Sequence, residues 1–330
     1  MIRNQWYAIL ESNEVKPGKL TGTTRMGENL VFWRDSTGKP VCLVDRCPHR
    51  GAAFSKGKLV GDQVQCPFHG FQFDPTGCCT LIPANGRKAP IPKAFQAHSY
   101  PARDAFGFIW IWWGSPRLDL PPISFFESIP EEMPFATLKD TWHTHYSRAI
   151  ENQLDVVHLP FVHATTIGRG NRTLADGPLY QWESLPGGGS RLNLWVYNRV
   201  DDGDPPLRLD EIPVPSRRPF LQFIFPNIWH NWISDNVRIV AAFAPIDAEN
   251  TLMYVRMYQN FMKFPVLRQV ANLGGKIGNR IILNQDKRVV ETQRPFRSEL
   301  RMGEKLIQAD GPVIAYRRRR DELLRNSEQQ

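Results

Sequence analysis

The sequence contains no apolar run long enough to cross a bilayer. A membrane-spanning helix needs about 20 consecutive, mostly apolar residues, and no stretch of this 330-residue chain approaches that length. The first residues, MIRNQWYAILESNEV, also lack the apolar segment and the small-residue cleavage site of a signal peptide. We therefore expect no membrane span and a cytoplasmic protein.

Cysteine is absent from residues 80–330. The chain has five cysteines, all in its first quarter: Cys42, Cys47, Cys66, Cys78 and Cys79. An odd number in a cytoplasmic protein argues against a disulfide framework. Their confinement to one end predicts a separate metal-binding domain. For Cys42, which lies in a strand-like run, and for the adjacent Cys78 and Cys79 we expect structural or incidental roles.

Nucleotide and nucleic-acid motifs are missing as well. The sequence has no G-x-G-x-x-G fingerprint and no second cysteine cluster of the plant ferredoxin type. The net charge is +8, and part of it lies in the run Arg317–Arg320. No zinc-finger array or repeated basic–aromatic pattern accompanies that charge. We expect no nucleic-acid partner, and we interpret the basic tail as a solvated, frayed helix.

Residues 1–115 carry a β-forming pattern. The runs alternate in polarity or are rich in aromatic and β-branched side chains, and they end in turn residues. They are WYAI (6–9), LVFWRD (30–35), PVCLVD (40–45), LVGDQVQC (59–66) and FGFIWIWWG (106–114). The pattern predicts a small antiparallel, all-β domain.

Two short motifs supply the chemistry of this domain. Cys47-Pro48-His49-Arg50-Gly51 is a C-x-H motif, and sixteen residues separate its histidine from the C-x2-H motif of Cys66-Pro67-Phe68-His69-Gly70. Two thiolates and two imidazoles can bind zinc, or a [2Fe–2S] cluster with both cysteines on one iron and both histidines on the other. The spacing favours the cluster, because each loop provides one ligand of each kind, whereas zinc fingers usually pair like with like.

Residues 116–330 predict a second, larger domain. A proline-rich connection (115–135) leads to a run that alternates like a strand, TWHTHYSRAI (141–150), in which we expect structural roles for His143 and His145. Further strand-like runs follow. They are LYQWESL (179–185), SRLNLWVYNRV (190–200), FLQFIFP (220–226), IWHNWIS (228–234), VRIVAAFAPI (237–246) and TLMYVRMYQN (251–260). A long helical pattern covers about 264–290. The fold class is therefore α+β.

The stretch ENQLDVVHLPFVH (151–163) has the order D-x2-H-x4-H. On a helix Asp155 and His158 would share a face, and Pro160 would bend the chain and bring His163 back. Two imidazoles at one point favour a metal with a third ligand. Asp286 shares a helix face with apolar residues and so points inward, where it needs a partner. A salt bridge is the generic alternative, but Asp286 is the natural third ligand of a two-histidine-one-carboxylate site.

Cys47, His49, Cys66 and His69 match the Rieske iron–sulfur motif, and with the D-x2-H-x4-H segment and Asp286 the chain resembles the Rieske non-heme iron oxygenases. The resemblance implies a Rieske [2Fe-2S] domain at 1–115 and a helix-grip (START-like) catalytic domain at 116–330. It also implies Fe(II) bound by His158, His163 and Asp286. Asp155 would bridge to the cluster of a neighbouring chain in an α3 homotrimer, and Asn152 would support that network.

The resemblance further implies a terminal oxygenase of the single-subunit demethylase and hydroxylase group. It would use O2 and electrons from a separate ferredoxin or flavoprotein reductase, so that NAD(P)H acts only indirectly. A ring dihydroxylase or a desaturase with the same sites is the first alternative. A non-enzymatic Rieske electron carrier and a zinc protein associated with nucleic acid are alternatives of other classes.

The sheet-forming runs offer candidates for the pocket of a small, flat or aromatic substrate. These are Trp195, Phe225, Asn227, Trp229, Asn231, Met253, Met257 and Asn284. On general grounds we expect about a third of them to face the substrate, the rest being core residues.

Overall fold

The computed structural model describes residues 1–262 and 264–328. The chain divides into two compact units. One consists of Arg3–Asp119, and the other of Met1–Ile2 together with the residues from Leu120 onward. Within the described residues no helix is both long and apolar enough to span a membrane.

Eleven short strands build the first unit. They are β1 (Gln5–Glu11), β2 (Thr21–Arg25), β3 (Glu28–Arg34), β4 (Pro40–Val44), β5 (Lys58–Val60), β6 (Gln63–Gln65), β7 (Gln72–Phe73), β8 (Cys79–Leu81), β9 (Ser99–Tyr100), β10 (Ala102–Ala105) and β11 (Phe108–Trp113). They form three antiparallel sheets in the orders β1-β11-β10, β2-β3-β4-β9 and β5-β6-β7-β8. The prediction of an all-β first domain is confirmed.

One predicted run proves to be two strands. Residues 59–66 fold back on themselves, so that Val60 of β5 pairs with Gln63 of β6. The two residues between them form the turn, and Gly61 takes a φ of 60°, in the left-handed region that glycine adopts without strain. This hairpin places Cys66 directly after β6.

In the second unit the described residues form a seven-stranded antiparallel sheet and four α-helices. Its strands are β12 (Phe135–Trp142), β13 (Leu174–Ser184), β14 (Ser190–Arg199), β15 (Leu221–Ile224), β16 (Ile228–Ser234), β17 (Val237–Pro245) and β18 (Thr251–Gln259). They lie in the order β12-β18-β17-β16-β15-β14-β13. The helices are α1 (Tyr146–Leu154), α2 (Leu159–Val162), α3 (Pro265–Val290) and α4 (Gly311–Glu328). The predicted α+β class is confirmed.

The run 141–150 was expected to be a strand, and that prediction is wrong. β12 ends at Trp142 and α1 begins at Tyr146. His145 caps α1, because its Nδ1 accepts a hydrogen bond of 3.2 Å from the backbone N–H of Ser147. Burial, with help from nearby arginines, lowers the pKa of His145 to about 2, so its ring is neutral. The alternating polarity of residues 141–150 therefore belongs to the end of β12 and the capped N-terminus of α1.

The basic tail is not a solvated, frayed helix. It lies within α4, where Arg317 and Arg320 are each only 3% exposed. Arg317 forms ion pairs with Glu151 (2.8 Å) and Glu304 (2.7 Å). Arg320 donates to the carbonyl of Ser298 over 2.8 Å. Two arginines of the run thus belong to the interior, because polar groups from distant parts of the chain meet them there.

Candidate functional site

The first candidate site lies in two loops of the same design. Cys47 follows β4 and Cys66 follows β6, and both side chains are buried. In each loop the cysteine carbonyl accepts a hydrogen bond from the N–H of a glycine four residues on, over 2.8 Å from Gly51 and 3.1 Å from Gly70. Both glycines have positive φ, 76° and 72°. The loops are tight turns that a residue with a Cβ would strain.

These loops place two sulfur and two nitrogen donors together. Burial, with the adjacent Cys66 thiol, raises the pKa of Cys47 to about 11, so a thiolate there needs a positive metal charge beside it. The imidazoles of His49 and His69 lie with their ring centroids 4.7 Å apart at the exposed end of the loops. Phe71 stacks on His49 at 4.7 Å. Paired sulfurs inside and paired imidazoles outside suit a two-iron cluster.

The second candidate site begins at the end of α1. Asp155 follows the last helical residue, and its Oδ1 accepts hydrogen bonds from the backbone N–H groups of Val157 (2.7 Å) and His158 (3.3 Å). The sequence suggested that Asp155 and His158 share a helix, but they do not. The Asp155 carboxylate accepts hydrogen bonds from the N–H groups that would otherwise continue α1. Burial raises the pKa of Asp155, but the His158 ring and these N–H groups outweigh it, and the pKa is lowered.

The two histidines flank the short helix α2. His158 is its N-cap and His163 its C-cap. Pro160 lies in the first turn, where its missing N–H leaves no hydrogen bond unmade. Pro160 therefore does not bend the chain between the histidines, contrary to the prediction from the sequence. The turn that redirects the chain is made at Asp155 instead, and one turn of helix brings both imidazoles to the same side.

Helix α3 brings Asp286 to these two rings. Its Oδ1 lies 3.0 Å from His163 Nε2 and 3.5 Å from His158 Nε2. The three possible ligand atoms all lie within 4.8 Å of one another. Asp286 and His163 are each 2% exposed. The inward orientation expected for Asp286 is what the structure shows.

The hydrogen bonding at this point is incomplete. Asp286 Oδ1 and His158 Nδ1 are buried, and within the described residues neither has a partner with hydrogen-bond geometry. His158 Nδ1 is 3.7 Å from Asp155 Oδ1, beyond direct bonding distance. A buried carboxylate oxygen facing two imidazole nitrogens is stabilised by a cation between them. The donor set fits a divalent metal that accepts two histidines and one carboxylate.

Gln285, next to the proposed ligand Asp286, is a site residue that the sequence did not reveal. Its Oε1 lies 2.8 Å from His163 Nδ1 and accepts a hydrogen bond of 2.9 Å from Thr166 Oγ1. Its Nε2 donates to Thr165 Oγ1 over 3.2 Å. No spacing rule singles out this glutamine, because its partners lie about 120 residues away in sequence.

A cavity of about 790 Å3 opens beside the three candidate ligands. Of the predicted pocket residues, Trp229, Asn231 and Met253 line it. The other five do not. Trp195 Nε1 donates to the carbonyl of Arg217, Phe225 stacks on Tyr316, Asn227 Nδ2 donates to the carbonyl of Phe243, Met257 faces Gly275 on α3, and Asn284 is exposed.

Strand parity explains part of this difference. Val196 and Asn198 of β14 line the cavity, whereas Trp195 lies on the other face of that strand. The sequence predicted strand β14 but not which of its two faces is turned towards the cavity. Further lining residues that it missed come from the turn after α2 and from β17, among them Ile167, Arg169, Arg172, Ile239 and Ala241.

Two family models match the chain. Residues 5–101 match the Rieske [2Fe-2S] domain, and residues 142–326 match the vanillate O-demethylase oxygenase C-terminal domain. The second match covers more than half of the chain.

Among curated proteins, the chain is similar to chlorophyllide a oxygenase of Chlamydomonas reinhardtii (36% identity over 172 residues, 51% of this chain and 26% of that protein). It is also similar to the iron–sulfur subunit of the toluene-4-sulfonate monooxygenase system of Comamonas testosteroni (30% over 199 residues, 60% and 56%). In both cases the chain spans less than two thirds of the relative.

Among solved structures, the QL mutant of NdmA of Pseudomonas putida CBB5 with caffeine shares the fold, with a TM-score of 0.75 at 21% identity, covering 99% of this chain and 92% of that one. The two family matches follow one another along the chain in the order of the two units described above. The chain therefore belongs to the Rieske oxygenases, with a Rieske [2Fe-2S] domain followed by an oxygenase domain of the vanillate O-demethylase family.

Proposed function

We propose that this protein is a terminal oxygenase that uses O2 and externally supplied electrons to hydroxylate or oxidatively demethylate a small organic, aromatic substrate. The observation that carries the proposal is the convergence of His158, His163 and Asp286 in the wall of a largely apolar cavity. A metal held there has protein on one side and substrate space on the other. This is the arrangement that a two-histidine-one-carboxylate iron site requires.

In this proposal His158, His163 and Asp286 hold mononuclear Fe(II), and Cys47, His49, Cys66 and His69 hold the cluster. When bound, the iron would supply O2 activation and the cluster would supply electrons singly. The side chains of the protein bind the metal and exclude water. Asp286 compensates the metal charge, and the apolar cavity wall keeps bulk water from the reacting centre.

Asp155 and Asn152 are proposed to connect the two metal centres. Asp155 Oδ1 is bonded to the backbone of its own turn and lies 3.7 Å from the His158 ring, while 31% of its side chain remains accessible. Asn152, one turn earlier on α1, has a buried Nδ2 without a partner among the described residues. In an α3 homotrimer these groups would receive a cluster-binding histidine of the neighbouring chain and hold both rings in place.

The electron donor is proposed to be a separate ferredoxin or flavoprotein reductase, with NAD(P)H acting through it. The exposed His49 and His69, and Arg50 over the Phe68 ring at 5.2 Å, form a surface through which a partner can reach the cluster. A cytoplasmic location is proposed because all five cysteines are free of disulfides, as in reducing compartments.

The cavity also indicates what its substrate carries. Trp229 Nε1, Asn231 Oδ1 and Asn198 Oδ1 are buried and without partners among the described residues, and all three residues line the cavity. The Trp229 N–H needs an acceptor and the two amide oxygens need donors, which a ligand or water can supply. Arg169, Arg172 and Arg217 also line it as exposed residues, and Arg169 donates to the carbonyl of Thr165 and Arg217 to that of Val196. A ring compound with a polar, negatively charged substituent fits, as the toluene-4-sulfonate named for one relative does.

The test is turnover with a surrogate ferredoxin and reductase after anaerobic Fe(II) loading. Methoxybenzoates and methyl-substituted benzoates are screened for O2 uptake and product mass together. Asp286→Ala removes the mononuclear iron and turnover but leaves the Rieske EPR signal, while Asn284→Ala, an exposed neighbour on α3, changes neither. Turnover that survives in Asp286→Ala contradicts the proposal, and wild-type protein that binds no mononuclear iron supports the electron-carrier alternative.

Labelled O2 separates the reaction types. Hydroxylation leaves one labelled atom in the ring compound or its side chain, and demethylation releases formaldehyde from a methoxy substrate. A ring dihydroxylase would instead place two labelled atoms in a cis-diol, and a desaturase would place none in the product.

A further inference from the structure

We infer that Gln285 is a positioning residue that holds His163 with its Nε2 turned towards the metal. The inference rests on the proposed function, in which His163 is an iron ligand. It concerns the opposite side of the ring from the metal, where Gln285 Oε1 lies 2.8 Å from Nδ1.

The tautomer of His163 decides which of its two ring nitrogens can bind a metal. A neutral imidazole carries one N–H, and the nitrogen without hydrogen is the one that binds a metal. Nε2 is the nitrogen near Asp286, at 3.0 Å. If the hydrogen were on Nε2, the ring would bond to Asp286 and could not be a ligand. An acceptor at Nδ1 holds the hydrogen there and leaves Nε2 free for the metal.

The other contacts of the Gln285 amide fit an orientation in which Oε1 faces His163 Nδ1, since a threonine hydroxyl can donate or accept. Thr166 Oγ1 lies 2.9 Å from Oε1, and Nε2 faces Thr165 Oγ1 at 3.2 Å. With the amide turned this way, Oε1 is an acceptor for both the ring N–H and the Thr166 hydroxyl. Both threonines belong to the turn directly after α2, so the glutamine also links α3 to the segment that carries His163.

Two consecutive residues of α3 thus contact one ring from opposite sides. Gln285 meets Nδ1 and Asp286 meets Nε2. Neighbouring helix positions point about 100° apart, which allows the two side chains to straddle the imidazole. His158 differs, because its Nδ1 has no hydrogen-bonding partner among the described residues. His163 and Asp286 are therefore pre-organised together, and Gln285 completes that pair.

The test compares metal affinity in two variants of the full-length protein with its cluster intact. Gln285→Leu removes the acceptor but keeps a good helix former. Gln285→Glu keeps an acceptor at Nδ1, loses the donation to Thr165 and adds a negative charge beside Asp286. Asn284→Leu is the matched control, since Asn284 is the adjacent, exposed residue of α3. The probes are Fe(II) in competition with a chelator and Co(II) with its visible absorption, which reports the ligand set.

We expect Gln285→Leu to lower the affinity for both metals by about 10- to 100-fold and to alter the Co(II) spectrum. Gln285→Glu should bind at least as tightly as wild type with an unchanged Co(II) spectrum, and Asn284→Leu should match wild type. Wild-type affinity in Gln285→Leu overturns the inference. So does an equal loss in the Leu and Glu variants, because that result would mean a merely structural role.

The same measurements separate this inference from the proposed function. Tight metal binding that depends on Gln285 in a protein without oxygenase turnover leaves the inference standing and removes the proposed activity. Oxygenase turnover in a protein whose metal affinity is unchanged by Gln285→Leu supports the proposed activity and removes the inference. If Gln285→Leu loses helical signal, the comparison of Gln285→Glu with wild type still decides, since a loss of affinity in the Glu variant contradicts the role.

Discussion

Arg317 and Glu151 form a bidentate pair across 166 residues of chain, with Nε to Oε1 and Nη2 to Oε2 both at 2.8 Å. Glu151 immediately precedes Asn152 on α1, so the C-terminal helix is fastened to the element that leads into the proposed iron site. Glu304 joins the pair through a 2.7 Å contact with Arg317 and a 2.8 Å contact with Arg148.

Replacing Arg317 with Met should destabilise the protein strongly. Glu151 would keep its buried charge and lose its bidentate partner, which typically costs about 3–5 kcal/mol. Arg318→Met is the matched control, because Arg318 is exposed beside it and should stay within about 0.5 kcal/mol. Urea unfolding measures both. A small loss in Arg317→Met would show that the pair is dispensable.

The same cluster should make stability depend on acid pH. Burial raises the pKa of the Glu304 carboxyl, but hydrogen bonds from Arg148 and Arg317 outweigh it, and the pKa is lowered. A depressed carboxyl pKa stabilises the fold above the unfolded-state value of about 4.3, and that stabilisation is lost as the pH falls through the folded-state pKa. Glu304→Gln should flatten this acid limb in thermal unfolding, whereas Glu299→Gln, at an exposed position, should leave it unchanged.

Trp229→Phe should weaken substrate binding while the cavity wall stays intact. The change removes the unpartnered Nε1–H and keeps an aromatic ring, so the loss is that of one hydrogen bond, about 3- to 10-fold in Kd. The Kd is measured by titrating the anaerobic protein with a benzoate that has proved to be a substrate. Trp232→Phe is the control, since Trp232 packs between Arg218 and Arg238 and does not line the cavity. Equal effects of both changes would contradict the assignment.

Gly168→Ala should disturb the metal site through the backbone. A Cβ at Gly168 would lie 1.9 Å from the carbonyl oxygen of Leu159 and 3.0 Å from the carbonyl carbon of His163, so α2 must shift. We expect reduced Fe(II) occupancy with an unchanged cluster spectrum. Gly274→Ala provides the contrast, because the space around Gly274 on α3 is open, and there alanine should stabilise by about 0.5–1 kcal/mol. Full iron occupancy in Gly168→Ala would show that α2 accommodates the methyl group.

Sequence reasoning succeeded where a signal was local and periodic. The long pattern 264–290 became α3, and most of the strand-like runs of the second unit became β13 to β18, because alternation along a strand and the 3.6-residue period of a helix are written in consecutive residues. Asp286 could be placed inward from its own helix face. The twin cluster loops could be recognised because all four proposed ligands lie within 23 residues.

Prediction from the sequence failed where contacts between residues far apart in the chain determine the structure. The run Arg317–Arg320 looks like a solvated surface until Glu151 and Glu304 are seen opposite it. At residues 141–150 the alternation of polar and apolar side chains concealed a cap, since His145 bonds to Ser147 only once the helix forms. Five of the eight pocket candidates lie away from the cavity, because the order β12-β18-β17-β16-β15-β14-β13 and the facing of each strand are set by tertiary packing.

The position of Asp286 on α3 has a consequence for synthesis of the protein on the ribosome. The cluster loops, from Cys47 to His69, leave the ribosome before the second unit and belong to a compact unit of their own, and domains generally fold as units during synthesis. His158 and His163 then wait for more than one hundred further residues before α3 delivers their carboxylate. The proposed cluster site can therefore form in a nascent chain before α3 exists, whereas the proposed mononuclear iron site is incomplete until α3 has been made.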